Sequence, residues 1–218
     1  EAPPRLSAEA ILVSKTLSAL DERLRETAAA GLTLDLLCAE PDGFVSADPS
    51  LAERLPRGVR AHRLPGGEAP EWAEANAEGS PAGGALGGAW RGMMRRFRRA
   101  ALGGKSGWIR AAAKRAREPL AAKRPQLLYS RSHPPASHLA ALRVARQTGL
   151  PWVAHFSDPW SGHLYYRNPA VRLALRHWEK KIFREATRLV FVSEALRDAM
   201  LARESDAARA KAAVIPHH

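Results

Sequence analysis

The segment His155-Phe156-Ser157-Asp158-Pro159-Trp160, followed by His163 and the pair Tyr165 and Tyr166, is the richest polar and aromatic cluster in the chain. A carboxylate with imidazoles nearby can act as a base or orient a sugar hydroxyl, and flat aromatic faces stack on sugar rings. With residues up to Phe156 in a strand, His155 and Ser157 point to one face and Phe156 to the other. Two other readings stay open. Asp158 ahead of Pro159 is the kind of residue that caps a turn. His155, Asp158 and His163 are also metal ligands by type, although their spacing matches no regular helical zinc motif and no Cys is near.

Two further segments run from a strand into a helix. Tyr129-Ser130-Arg131-Ser132-His133-Pro134-Pro135 offers Ser132 and His133 beside the free N–H groups of a helix start, where an anion or a sugar hydroxyl binds. The plainer reading makes Ser132 or Ser137 a helix cap and His133 a loop residue. In Val192-Ser193-Glu194, Ser193 is a competent N-cap. The glycine pairs at 83/84 and 87/88 do not match a dinucleotide fingerprint. Leu102-Gly103-Gly104-Lys105-Ser106 resembles half of a P-loop, but Arg99 stands where the first glycine belongs and no strand precedes it.

The elements needed to position these residues alternate between short apolar runs and helical patterns, which implies an α/β fold with a parallel sheet. Helices are expected over Ser7–Ala30 (stopped by Gly31), Ala89–Leu102, Trp108–Glu118, Pro135–Gln147, Ala170–Ala186 and Glu194–Arg203. Within Ala170–Ala186 the expected buried set is Leu173, Leu175, Trp178, Ile182 and Phe183. Strands are expected over Leu32–Cys38, Val59–Leu64, Gln126–Tyr129, Trp152–Phe156, Leu189–Val192 and Ala213–Ile215. Residues 66–90 are rich in Gly and Pro and read as a loop.

The 218 residues, 45% of them apolar, can build a packed core, and this excludes a disordered tail. The net charge of +12 is concentrated: residues 91–124 carry twelve basic side chains and one acid, Glu118, so the rest of the chain is nearly neutral. This window mixes Trp90, Met93, Met94, Phe97, Leu102, Trp108 and Ile109 with its arginines, as helices at a lipid interface do. Arg95, Arg96, Phe97, Arg98, Arg99 and Trp108 are the expected membrane contacts, the alternative being a solvated basic face. A nucleic-acid-binding protein is the competing class, but nothing resembles a recognition helix or an RNA-binding sheet motif. The single Cys38 forms no internal disulfide and fits a reducing compartment. No run approaches the roughly 20 apolar residues of a membrane span.

The ordered set of Pro3-Pro4 ahead of a long helix, YSRSHPP, GLPWVAHFSDPW, a charged helix, LVFVSE and KAAVIPHH resembles the N-terminal domain of the family 4 retaining glycosyltransferases. The resemblance spans nearly the whole chain, strongest over 125–218 and weak over 65–119. It implies one Rossmann-like half of a GT-B fold, a parallel sheet with helices on both faces, in which residues 66–124 form a variable loop and basic insert. The family's N-terminal half holds the acceptor, and a second domain, absent from this chain, binds the nucleotide-sugar donor.

The implied reaction is sugar transfer with retention and no obligatory metal or cofactor. The implied acceptor is a cell-envelope glycan or lipid-linked precursor, met in the cytoplasm at the inner face of the membrane. Many members place a His at the end of the strand matching Trp152–Phe156. Here that position is Ser157, which makes Asp158 the first and His155 the second choice as catalytic residue. Ser132, His133, Ser157, Trp160, His163, Tyr165 and Tyr166 are the expected acceptor contacts. The family begins with an apolar strand ahead of the two prolines, so the expectation is an interior fragment lacking a central strand between Leu32–Cys38 and Gln126–Tyr129. His217 and His218 read equally as native residues or the start of a tag.

Overall fold

Apolar residues at helical spacing, among them Ile11, Leu17 and Leu24, form α1 (Ala8–Glu26), the first element of a computed structural model that describes residues 8–26, 33–40, 50–65, 106–117, 125–132, 135–164 and 166–216. Ser7 and residues 27–31 lie outside the described residues, as does the expected helix over Ala89–Leu102. The chain divides into two compact units, one ending at Gly66 and one beginning at Gly67.

In the first unit, β1 (Leu34–Ala39) and β2 (Val59–Leu64) pair in parallel from Leu34 opposite Val59 to Ala39 opposite Leu64, with the short α2 (Ser50–Glu53) between them in sequence. Asp35 lies across from Arg60, with Oδ2 2.9 Å from Nη2, and accepts from His62 Nε2 at 2.9 Å through Oδ1. Burial pushes the Asp35 carboxyl up, but the hydrogen bond from His62 and the Arg60 charge outweigh it and hold it below the usual range. Cys38 is buried, and burial pushes its thiol up.

The second unit holds α3 (Ser106–Arg115), β3 (Leu128–Ser132), α4 (Ala136–Thr148), β4 (Trp152–Phe156), α5 (Pro169–Glu185), β5 (Arg188–Phe191), α6 (Glu194–Leu201), α7 (Asp206–Arg209) and β6 (Ala212–Val214). Its four strands lie in sequence order, all parallel. The mixed α/β architecture with parallel sheets is the expected Rossmann-like class. Among the described strands, β1 pairs only with β2, and β3 only with β4.

Residues on alternate positions divide the larger sheet into two faces. Ser130, Ser132, Trp152, Ala154, Phe156, Leu189 and Phe191 share one face, and α4 and α5 both pack there. Ring centroids of His138 of α4 and Phe183 of α5 lie 4.6 Å and 5.5 Å from that of Phe156, and Phe191 is stacked on Phe156 at 5.4 Å. Gly149 ends α4 in the left-handed region at φ 71°, and its N–H returns to the Ala145 carbonyl at 2.8 Å. Asn168 caps α5 by accepting from the Ala170 N–H at 2.9 Å with Pro169 in the first turn. At its other end Lys211 Nζ donates to the Arg184 carbonyl at 2.7 Å.

The structure corrects three expectations. β3 runs on to Ser132, because Ser130, Arg131 and Ser132 pair with Ala154, His155 and Phe156 instead of forming a loop. Leu173 is 71% exposed, since two residues before the buried Leu175 falls on the opposite side of a helix of 3.6 residues per turn. Ile109 does not face a lipid surface: with Ala112 and Ala113 it forms the buried stripe by which α3 packs on α4, and Trp108 is half-buried with its indole nitrogen enclosed. Arg95, Arg96, Phe97, Arg98 and Arg99 lie outside the described residues.

Candidate acceptor site

The carboxyl end of a parallel strand leaves the last peptide groups without a neighbour, so the following loop is where polar side chains converge. Beyond β4 the loop begins at Ser157, which is half-buried like Asp158. Asp158 makes no hydrogen bond or ion pair among the described residues. A turn capped by its own carboxylate would use the N–H two residues on. That N–H, of Trp160, goes instead to Glu179 Oε1 at 3.2 Å. The capping reading of Asp158 is therefore replaced by a free carboxylate at the strand end.

His155 is 5% exposed and lies on the opposite face from the aromatic core, where its Nδ1 shares a short hydrogen bond with the Tyr129 hydroxyl. The two rings meet edge-on at 82°. Arg131, opposite His155 in the ladder, is buried on the same face. Tyr129 and Arg131, to which the sequence assigned no role, thus form a polar group with His155, the second choice as catalytic residue. The strict alternation of a strand running to Ser132 would have found it.

The aromatic core face carries a second polar chain that sequence reasoning missed. Trp152 Nε1 donates to Ser130 Oγ at 2.7 Å, and Ser130 Oγ bonds His138 Nδ1 at 2.7 Å. An indole nitrogen only donates, so Ser130 accepts there and its one hydroxyl hydrogen is left for His138. His138 itself is fully buried and stacked on Trp160, 5.3 Å and 27° apart.

Those contacts remove three residues from the expected acceptor surface. Trp160 is wholly enclosed because its ring fills the gap between His138 and Phe156, so no face is free to stack on a sugar. Tyr166 is buried, edge-on to His163 at 6.2 Å. Ser132 faces the core, with Oγ enclosed and unpartnered, because β3 extends through it. Ser157, Asp158 and His163 stay at least partly accessible, whereas His133 and Tyr165 lie outside the described residues.

Glu179 is the other residue not anticipated. It is 1% exposed in α5, and its carboxylate accepts from the N–H groups of Trp160 and Ser161, from Ser161 Oγ at 2.6 Å and from Arg176 Nη1 at 3.5 Å. Helical spacing carried the signal: Glu179 lies four residues after Leu175 and three before Ile182, on the buried stripe.

Among the described residues, no three of the His, Cys, Asp and Glu side chains gather closely enough to hold a metal ion, and no helix is long and apolar enough to cross a membrane.

A sequential parallel sheet with core-packed crossover helices defines one Rossmann-like domain. Residues 19–218 match the family model described as glycosyl transferase 4-like domain, and the chain belongs to that family. No curated protein matches it.

Proposed function

We propose that this domain is the acceptor-binding half of a retaining glycosyltransferase, which moves a sugar from a nucleotide-sugar donor to a cell-envelope glycan or lipid-linked acceptor. In this reading a second domain brings the donor, and the present chain supplies the groups that receive it. The carrying observation is Asp158, half-buried beyond β4 and with no partner among the described residues. A carboxylate so placed can take up or orient the proton of the acceptor hydroxyl as that oxygen attacks the anomeric carbon. Ser157 and His163 lie within the same short loop and can hold neighbouring hydroxyls. His155, backed by Tyr129 at Nδ1 and buried, is the second candidate. The reaction takes place in the cytoplasm, with acceptors presented at the inner face of the membrane.

The test is Asp158→Asn in the enzyme carrying this domain, assayed with a panel of nucleotide sugars and a lipid extract of envelope precursors. Turnover falls by about 100-fold while the melting temperature holds. Unchanged kinetics would remove Asp158 from the site. Analysis of the product anomer by NMR decides retention separately.

A further inference from the structure

We propose that Glu179 is a positioning residue for the acceptor loop: by taking the Trp160 and Ser161 N–H groups it keeps the Asp158 carboxylate from folding back on its own turn. This inference rests on the reading of Asp158 as the acceptor-side carboxylate. The loop is held on several sides. The Trp160 ring is fixed in the core against His138, and Ser161 is bound at all three of its polar groups. Its N–H and hydroxyl go to Glu179 at 2.9 and 2.6 Å, and its carbonyl accepts from Arg172 Nε at 2.9 Å. One helix, α5, therefore grips the backbone just downstream of Asp158, independently of the side chains in the loop.

The decisive atom is the Trp160 N–H. An aspartate ahead of a turn ordinarily closes an Asx-turn onto the N–H two residues on, which would spend one carboxylate oxygen locally. Glu179 occupies that donor, and the half-buried Asp158 keeps both carboxylate oxygens without a partner among the described residues. A buried ion pair with Arg176 is the competing role for Glu179. Arg176, however, is also held by Glu204 Oε1 at 2.6 Å, against 3.5 Å to Glu179, so the amides and the hydroxyl are the closer partners of this carboxylate.

Two conservative variants separate the roles. Glu179→Gln keeps the reach to both amides and removes the charge. Glu179→Asp keeps the charge and withdraws the oxygens by one methylene. Positioning predicts that the glutamine variant stays within about threefold of wild type in kcat/KM, whereas the aspartate variant loses about tenfold or more, since displacements near 1 Å at a reacting group cost up to about 100-fold. Amide hydrogen exchange at Trp160 and Ser161 follows the same order, protected in Gln and accelerated in Asp. The reverse order in both readouts makes Glu179 an ion-pair residue and overturns the proposal. Faster exchange in the aspartate variant with unchanged turnover also overturns it, leaving a purely structural clamp.

If neither variant folds, Ser161→Ala removes only the hydroxyl bond at a half-buried position. Faster exchange of the backbone amides at Trp160 and at position 161, with a raised acceptor KM, is then expected, and no change in either refutes the clamp. The exchange measurements need no substrate, so they judge Glu179 even where a failure of wild-type sugar transfer refutes the functional reading.

Discussion

Arg146 and Glu185 meet through two parallel hydrogen bonds, Nε to Oε2 at 2.6 Å and Nη2 to Oε1 at 2.5 Å, which tie the last turn of α4 to the last turn of α5. The bond from Arg146 holds the Glu185 carboxyl below the usual range against the opposing effect of burial, and Arg146 is raised in turn by its bond to Glu185. A carboxyl depressed in the folded state stabilises above its unfolded value and loses that contribution as pH falls through the folded one. The pair is solvent-screened, so Arg146→Gln should cost only about 0.5 to 1 kcal/mol at pH 7. The difference from wild type should fade below about pH 4. Urea unfolding at a series of pH values reads both, and a difference that persisted at pH 2 would detach the effect from Glu185.

Ser130→Ala should be costlier than its size suggests. It strips the partner from Trp152 Nε1 and His138 Nδ1 together, in a region with no access to water. A buried polar group left unsatisfied costs about 1 to 3 kcal/mol. Chemical unfolding followed by tryptophan fluorescence measures the loss, and a neutral substitution would mean that the two nitrogens find other partners.

His155→Ala, tested beside Asp158→Asn, assigns the catalytic group. Asp158 as the acting carboxylate predicts a small effect of His155→Ala on kcat and a large one of Asp158→Asn. A large effect of His155→Ala alone moves the role two residues back along β4. Tyr129→Phe should then reproduce part of that loss, because Tyr129 shares the hydrogen bond at His155 Nδ1.

Membrane contact through the basic window is tested by replacing Arg95, Arg96, Arg98 and Arg99 with Gln and measuring sedimentation with vesicles containing 30% anionic lipid, an amount of about one anionic headgroup in three. Each lost charge should weaken binding by about 1 kcal/mol near the surface, less as salt rises. Duplex DNA at matched salt should not bind. Binding to DNA but not to vesicles would favour the nucleic-acid class.

The sequence carried the fold class and most elements, because strands such as Val59–Leu64 and Trp152–Phe156 show their limits through flanking Gly and Pro and through apolar runs. It misjudged residues whose place depends on a neighbour distant in the chain. Ser130, Arg131 and Ser132 are polar enough to read as loop, and only pairing with β4 makes them strand. Trp160 has the look of a sugar platform, and nothing local announces that His138 waits to cover it. Glu179 was lost among the charges of α5, although its phase with Leu175 and Ile182 marked it as buried. Asp158 was legible as a strand-end carboxylate, but not the reason that it stays free.

Among the described residues, the strands of the sheet that carries Asp158 all lie after residue 125 and pair in sequence order. The Gly-rich stretch and the part of the basic window ahead of α3 both precede that run. Their length can therefore drift, residues being gained or lost, without shifting a single rung of the ladder from β3 to β6. Variation over residues 66–105 is thereby uncoupled from the frame, whereas α3 is bound to it through Ile109, Ala112 and Ala113, so a chimaera exchanging residues 66–105 is tolerated where an insertion of one residue in β4 is not.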